Sequence, residues 1–294
     1  MSTGWCSPCI PAPPPARATN PNCPDPTTDD HHHQRDRLEA PTKGHHFELS
    51  KDLELNATPE QVWEAIATGP GIDSWFMGRS EVEPREGGRT SLSLAGPVEE
   101  ATVTAWEPGK RFASRTEPGP DGTFMAFEYL IEGRDQGSTV LRLVQSGVLG
   151  DNWETEYEAM QVGWNMYLET LAAYLTHFAG RTGAPVTAFR PGVGGEEKVW
   201  AAVTDALGIS GPVAEGQPAR FTVDGLPPVE GVVDLAALPT YLGVRTTDGL
   251  YRFLYSGSER GDALVLGHHI FAVDQDPARV EQGWQNWLTA LPVG

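Results

Sequence analysis

The 294-residue chain is 39% apolar and holds nine tryptophans, enough for one or two packed cores, so global disorder is excluded. Its formal net charge of −19 repels phosphate backbones and anionic lipid surfaces, which argues against nucleic-acid partners and membrane docking. No apolar run reaches the roughly 18 residues of a membrane span, no secretory signal is read, and all three cysteines precede residue 24, so a cytoplasmic protein without disulfides in its folded part is expected.

Residues 1–44 hold nine of the 25 prolines and read as a disordered tail, because they cannot bury enough apolar surface to offset the entropy of ordering. A start codon chosen too far upstream would also give such a tail, and the intact mass of the native protein tests this. From Phe47 the texture changes, and Phe47 to Leu55 alternates as a strand. Thr58-Pro59-Glu60-Gln61 is a helix start, with Thr58 as N-cap, Pro59 in the first helical position and Gln61 closing a capping box. That helix runs through Val62, Trp63 and Ile66, and Gly69-Pro70-Gly71 is expected to stop it; a second short helical piece is expected to hold Trp75-Phe76.

Strand-like runs follow at Thr90–Leu94, Glu99–Trp106, Arg111–Thr116, Phe124–Ile131 and Thr139–Gln145, with short Gly/Pro/Asp breaks between them that favour an antiparallel meander. A long helix is expected from near Asp151 to Phe178. Trp153, Tyr157, Met160, Trp164, Tyr167, Leu168, Leu171, Leu175 and Phe178 form one apolar stripe, while Glu154, Glu158, Gln161, Asn165 and Glu169 should face water. At 1.5 Å per residue it would be roughly 40 Å long, enough to cover the open face of a curved sheet.

The second half echoes the first. Val62-Trp63-Glu64-Ala65-Ile66 returns as Val199-Trp200-Ala201-Ala202-Val203, and Gly163-Trp164 through Leu168 returns as Gly283-Trp284 through Leu288. The distance from the valine to the tryptophan falls from 102 to 85 residues, and nothing in the second half matches Trp75-Phe76. A second copy that mainly packs against the first or extends its surface is expected. The domains read as a tail over 1–44, an intact unit over 45–181, a linker over 182–188 and a shortened repeat over 189–294.

Six motifs in order carry a family resemblance. They are Pro59-Glu60-Gln61-Val62-Trp63, Trp75-Phe76, Gly87-Gly88-Arg89, Glu107-Pro108-Gly109-Lys110-Arg111-Phe112, Thr139-Val140-Leu141-Arg142-Leu143 before Ser146-Gly147, and Gly163-Trp164 with Leu171. Together they resemble the START-like (SRPBCC, helix-grip) superfamily, in the branch named after the C-terminal domain of the activator of heat-shock protein 90 ATPase. The resemblance covers residues 46–180 well and 189–294 weakly. It implies an α+β fold of tandem helix-grip domains, each a curved antiparallel sheet wrapped around a long C-terminal helix, with a cavity between sheet and helix. Members bind lipids, polyketides, hormones and other apolar molecules, and some are cyclases or hydrolases. The separate N-terminal domain of the eukaryotic co-chaperone has no counterpart here, and the fold alone does not assign a function.

Within that fold Trp63, Trp75, Phe76, Phe127, Tyr129, Met160, Trp164 and Tyr167 are candidates for the pocket wall, with core packing the equally open alternative. Arg115, Glu128, Gln145 and Glu156 are candidate polar pocket groups, though a solvent or salt-bridge role is preferred for each. Glu128 alternates with Phe127 and Tyr129 and so should face away from them. Trp5-Cys6-Ser7-Pro8-Cys9 copies a redox motif but lacks the helix that would lower the thiol pKa, and Cys6, Cys9, Cys23 with His31-His32-His33 lacks a second close pair for zinc. His45-His46 and His268-His269 are expected at strand edges, since strand neighbours point to opposite faces and cannot share a metal. No cofactor or metal is expected. The reading leans to non-catalytic binding of a small hydrophobic or amphipathic ligand in the first domain; a protein-interaction or stress-regulatory module, and a cyclase, dehydratase or hydrolase, remain alternatives.

Overall fold

Among residues 44–94, 98–134, 137–272 and 276–293, which this computed structural model describes, thirteen strands and five helices build two antiparallel sheets. The tail to residue 43, its cysteines, the His31-His32-His33 run and the breaks at Gly96-Pro97 and Asp135-Gln136 lie outside the described residues.

The first unit starts with β1 (His45–Leu55), α1 (Pro59–Ala67) and α2 (Gly69–Asp73). The meander follows as β2 (Arg79–Val82), β3 (Arg89–Ser93), β4 (Glu99–Glu107), β5 (Arg111–Arg115), β6 (Phe124–Gly133) and β7 (Thr139–Leu149), and α3 (Trp153–His177) closes it. Sheet order is β1-β7-β6-β5-β4-β3-β2, so the first strand pairs with the last and the rest run as hairpins. The second unit holds β8 (Ala184–Arg190), α4 (Glu196–Ala206), β9 (Pro218–Phe221), β10 (Val229–Ala237), β11 (Tyr241–Arg245), β12 (Gly249–Tyr255), β13 (Leu264–Ile270) and α5 (Pro277–Ala290). Its order, β8-β13-β12-β11-β10-β9, follows the same rule with one strand fewer.

The Thr58 cap forms as its residue types require. Gln61 N–H donates to the Thr58 hydroxyl at 3.3 Å, and Thr58 N–H donates to the Gln61 side chain at 2.9 Å. Helix α1 ends at Ala67, just before Gly69-Pro70-Gly71, as expected, and these three residues open the second short helix. Thr68 caps a second helix by accepting from Gly71 N–H at 3.1 Å, and Pro70 sits in its first turn, where a missing N–H costs nothing. Gly71 is required there because a Cβ would overlap the Glu64 carbonyl. Trp75 and Phe76 therefore lie just after α2 rather than inside it. The segment expected as a linker over 182–188 is mostly β8, which pairs with β13 from Ala184↔Ile270 to Arg190↔Leu264.

The layers explain the burial. One face of α3 (Met160, Trp164, Leu168, Leu171, Leu175) packs on the first sheet. The face expected to point to water is partly covered by the second sheet. Ala159, Met166 and Thr170 are buried, and Tyr241 OH donates to Glu169 at 3.2 Å. The order through the molecule is first sheet, α3, second sheet, then α4 and α5. Strands β12 and β13 are thus covered on both faces, and all fourteen of their residues are buried. His268 and His269 correct the expectation of strand-edge histidines: they are 0% and 1% exposed, one facing each covered side.

Candidate functional site

Trp164 is fixed by a row of residues that crosses the first sheet. Leu49, Gln145, Phe127 and Ser114 stand side by side on β1, β7, β6 and β5, all on the face toward α3. Gln145 is fully buried; it accepts from Trp164 Nε1 at 2.6 Å and its amide nitrogen approaches Met160 Sδ at 3.1 Å. Burying an amide of this kind is tolerated only when its groups are paired, and the pairing locks the indole in place. Trp164 in turn stacks with Phe76 at 5.8 Å between centroids and meets Phe127 edge-on at 6.3 Å.

Between this row and strands β2–β4 lies a cavity of about 110 Å³. Its inner wall is apolar, with Trp75, Phe76, Phe112, Phe127, Tyr129 and Trp164. Its mouth carries hydroxyls from Ser80, Thr90, Ser91 and Thr116, with Ser114 on the floor. A cavity of about 150 Å³ takes a benzene-sized guest, so the space here suits a compact ligand of roughly that size rather than a whole lipid.

Glu99, the first residue of β4, is a half-buried carboxylate on that lining. It makes no hydrogen bond or ion pair with any described residue. Burial without a partner pushes its pKa up to about 7. Its neighbour Glu100 is exposed and pairs with Arg89 at 3.1 Å. The signal for Glu99 was present in the alternation, since Ala101 and the buried Val103 share its face. Behind the cavity, Asp73 accepts from Ser80 N–H at 2.7 Å, and burial raises its pKa to about 6.

Of the eight aromatic and sulfur candidates, Trp75, Phe76, Phe127, Tyr129 and Trp164 line the cavity. Trp63 instead packs edge-on against Trp106 at 4.9 Å, Tyr167 lies behind Phe76 at 4.4 Å, and Met160 is covered by Gln145. None of the four polar candidates is on the lining. Arg115 alternates with the inward Ser114 and Thr116 and lies over the Phe124 ring at 4.0 Å. Glu128 turns to the other face, where Arg111 Nε donates to it at 2.6 Å. Glu156 is half-buried in the first turn of α3, away from the lining. Gln145 is buried behind the wall and holds Trp164.

Residues 56–176 match the family model described as Activator of Hsp90 ATPase homolog 1-like protein. This activator-like domain contains α1 through nearly all of α3, and so the whole cavity. Among solved structures, a protein of Mesorhizobium loti is 23% identical, with a TM-score of 0.40, covering 45% of this chain and 98% of its own. DynU16, from the dynemicin biosynthetic locus, is 19% identical over 83% of this chain and 96% of its own, with a TM-score of 0.39. The Aha1 dimer of Colwellia psychrerythraea is 19% identical over 44% of this chain and 96% of its own, with a TM-score of 0.37. No curated protein matches the chain. Among the described residues, no helix is long and apolar enough to cross a membrane, and no group of three His, Cys, Asp or Glu could hold a metal ion.

The second unit has an aromatic cluster of its own. On the second sheet Tyr251 of β12 pairs with Val244 of β11, and Trp284 lies on α5. The rings of Phe221, Tyr251, Phe253 and His268 pack directly on Trp284, with His268 closest at 4.2 Å.

Proposed function

We propose that the activator-like domain binds a small, mainly apolar ligand in the cavity between its sheet and α3, without converting it, and that the second unit is a shortened copy that braces α3. The cavity carries the reading: six aromatic side chains surround it, and the small Ser114 leaves the space between them open. Apolar walls with a few polar groups at one end are the general form of a small-molecule site. The bracing role is supported by the shared strand-order rule and by the hydrogen bonds of Tyr241 on β11 and Arg252 on β12 to the back of α3.

Native mass spectrometry of the purified protein, with extraction of anything released, is the direct test. A reproducible apolar adduct is expected, or thermal stabilisation by one-ring and two-ring aromatic probes; a ligand at 100 times its Kd adds about 2.7 kcal/mol. Ser114→Leu fills the cavity from the floor and should abolish that stabilisation while far-UV circular dichroism stays native. An unliganded mass with no stabilisation by any probe would end the proposal.

A further inference from the structure

We propose that Glu99 is the anchor for a positively charged head group, so that the cavity takes a compact aromatic or aliphatic amine. The inference rests on the cavity reading and adds the chemical class of its ligand.

Glu99 and Glu100 are the only carboxylates on the lining, and no Lys, Arg or His joins them among the described lining residues. Glu100 is already paired outward with Arg89, and Arg115, the nearest cation in sequence to the floor, points away over Phe124. The remaining titratable group on the lining, Tyr129, is buried, and burial raises its pKa. Residues 95–97, which lie outside the described residues, are Ala95, Gly96 and Pro97, none of which carries a charge. Glu99 is therefore a carboxylate facing an apolar chamber without a counter-charge of its own.

A half-buried carboxylate in that position is completed by an incoming ammonium. The pair forms where the dielectric is reduced, as a charge-assisted hydrogen bond, and the organic part of the ligand covers the aromatic wall. The net charge of −19 raises the local concentration of cations around the molecule and repels anionic competitors. The hydroxyls of Thr90 and Ser91 on β3, beside β4 at the mouth, offer acceptors for the remaining N–H groups.

Benzylamine and its neutral near-isostere benzyl alcohol are the probes, measured by calorimetry on the full chain and on Glu99→Gln. The amine is expected to bind the parent about tenfold more tightly than the alcohol at pH 8, and Glu99→Gln should erase that preference while leaving the alcohol unchanged. Because burial holds the Glu99 pKa near 7, the amine must displace a proton below that value. Its affinity should then fall by up to about tenfold per pH unit, with alcohol binding flat. Equal binding of the two probes, or an amine preference that survives Glu99→Gln, would overturn the inference and leave the cavity reading intact. If neither probe binds, both fail.

Discussion

Arg252 is the most demanding residue in the molecule. It is 1% exposed on β12, between the second sheet and α3. Its guanidinium donates to both oxygens of Asp234 at 3.0 and 2.9 Å, and its Nε donates to the Thr170 hydroxyl on α3 at 2.9 Å. Asp234 reaches it from a bulge in β10 between Val233 and Leu235, which re-aims the side chain. Asp234→Ala would leave a buried guanidinium uncompensated and should cost about 3–5 kcal/mol in urea unfolding; the Asp234→Leu/Arg252→Met pair should recover most of it. The buried histidines make a pH-dependent term. Arg252 N–H donates to His268 Nδ1 at 3.0 Å, so the proton sits on Nε2, which has no hydrogen-bond partner among the described residues, and the His268 and Trp284 rings meet edge-to-face at 4.2 Å. His269 Nδ1 donates to the Asp73 carbonyl at 2.9 Å, and burial drives its pKa down to about 3. The unfolded chain, with a histidine pKa of about 6.5, binds more protons below that value. The stability this residue contributes is whole above about pH 6.5 and is lost as pH falls toward 3, by about 1.4 kcal/mol per unit. Urea unfolding at pH 7.5 and 5 should therefore show a stability drop that is about 2 kcal/mol smaller in His269→Gln. Glu99 and Asp73, whose raised pKa values act with the opposite sign, are common to both proteins and cancel in the difference.

At the scale of elements, α1 and α2 show how local chemistry and close packing combine. Thr58→Ala removes one half of the capping box and should destabilise the protein by about 1 kcal/mol, read as a shifted denaturant midpoint with unchanged slope. Gly71 is a different case, because its backbone packs against the Glu64 carbonyl and no side chain fits. From the sequence, Gly69-Pro70-Gly71 reads as a stop, and only the Thr68 cap converts it into a second start. Helix α3 was legible from its stripe of three- and four-residue steps, because one face meets a sheet of the same chain segment. Its second buried face was not legible, since Ala159, Met166 and Thr170 are small or neutral positions that become interior only when Leu254, Tyr241 and Arg252 arrive from far along the chain.

For the whole molecule, α3 belongs to two interiors at once. Phe271 stacks on Phe178 at 4.2 Å and on Tyr174 at 5.9 Å, Arg181 donates to the Phe271 carbonyl at 2.8 Å, and Gly183 N–H donates to the Ser74 hydroxyl at 2.8 Å. With polar and aromatic contacts across the seam, the full chain should unfold in one calorimetric transition; two resolved transitions would show that the units are stable apart. The sequence by itself determined the strand meander, the capped first helix, the long amphipathic helix and the aromatic set from which the cavity wall is drawn, because each is written in periodicity and turn chemistry within one segment. Only the tertiary structure decided that β8 begins where a linker was expected and that both histidines of the adjacent pair are buried. It alone separated Trp75, Phe76, Phe127, Tyr129 and Trp164 on the cavity from Trp63, Met160 and Tyr167 behind it, and set Glu99 there in place of Arg115, Glu128 or Glu156. The physical reason is that a side chain's role depends on what covers its face, and that covering comes from residues far along the chain, 82 positions for Thr170 and Arg252 and 196 for Asp73 and His269.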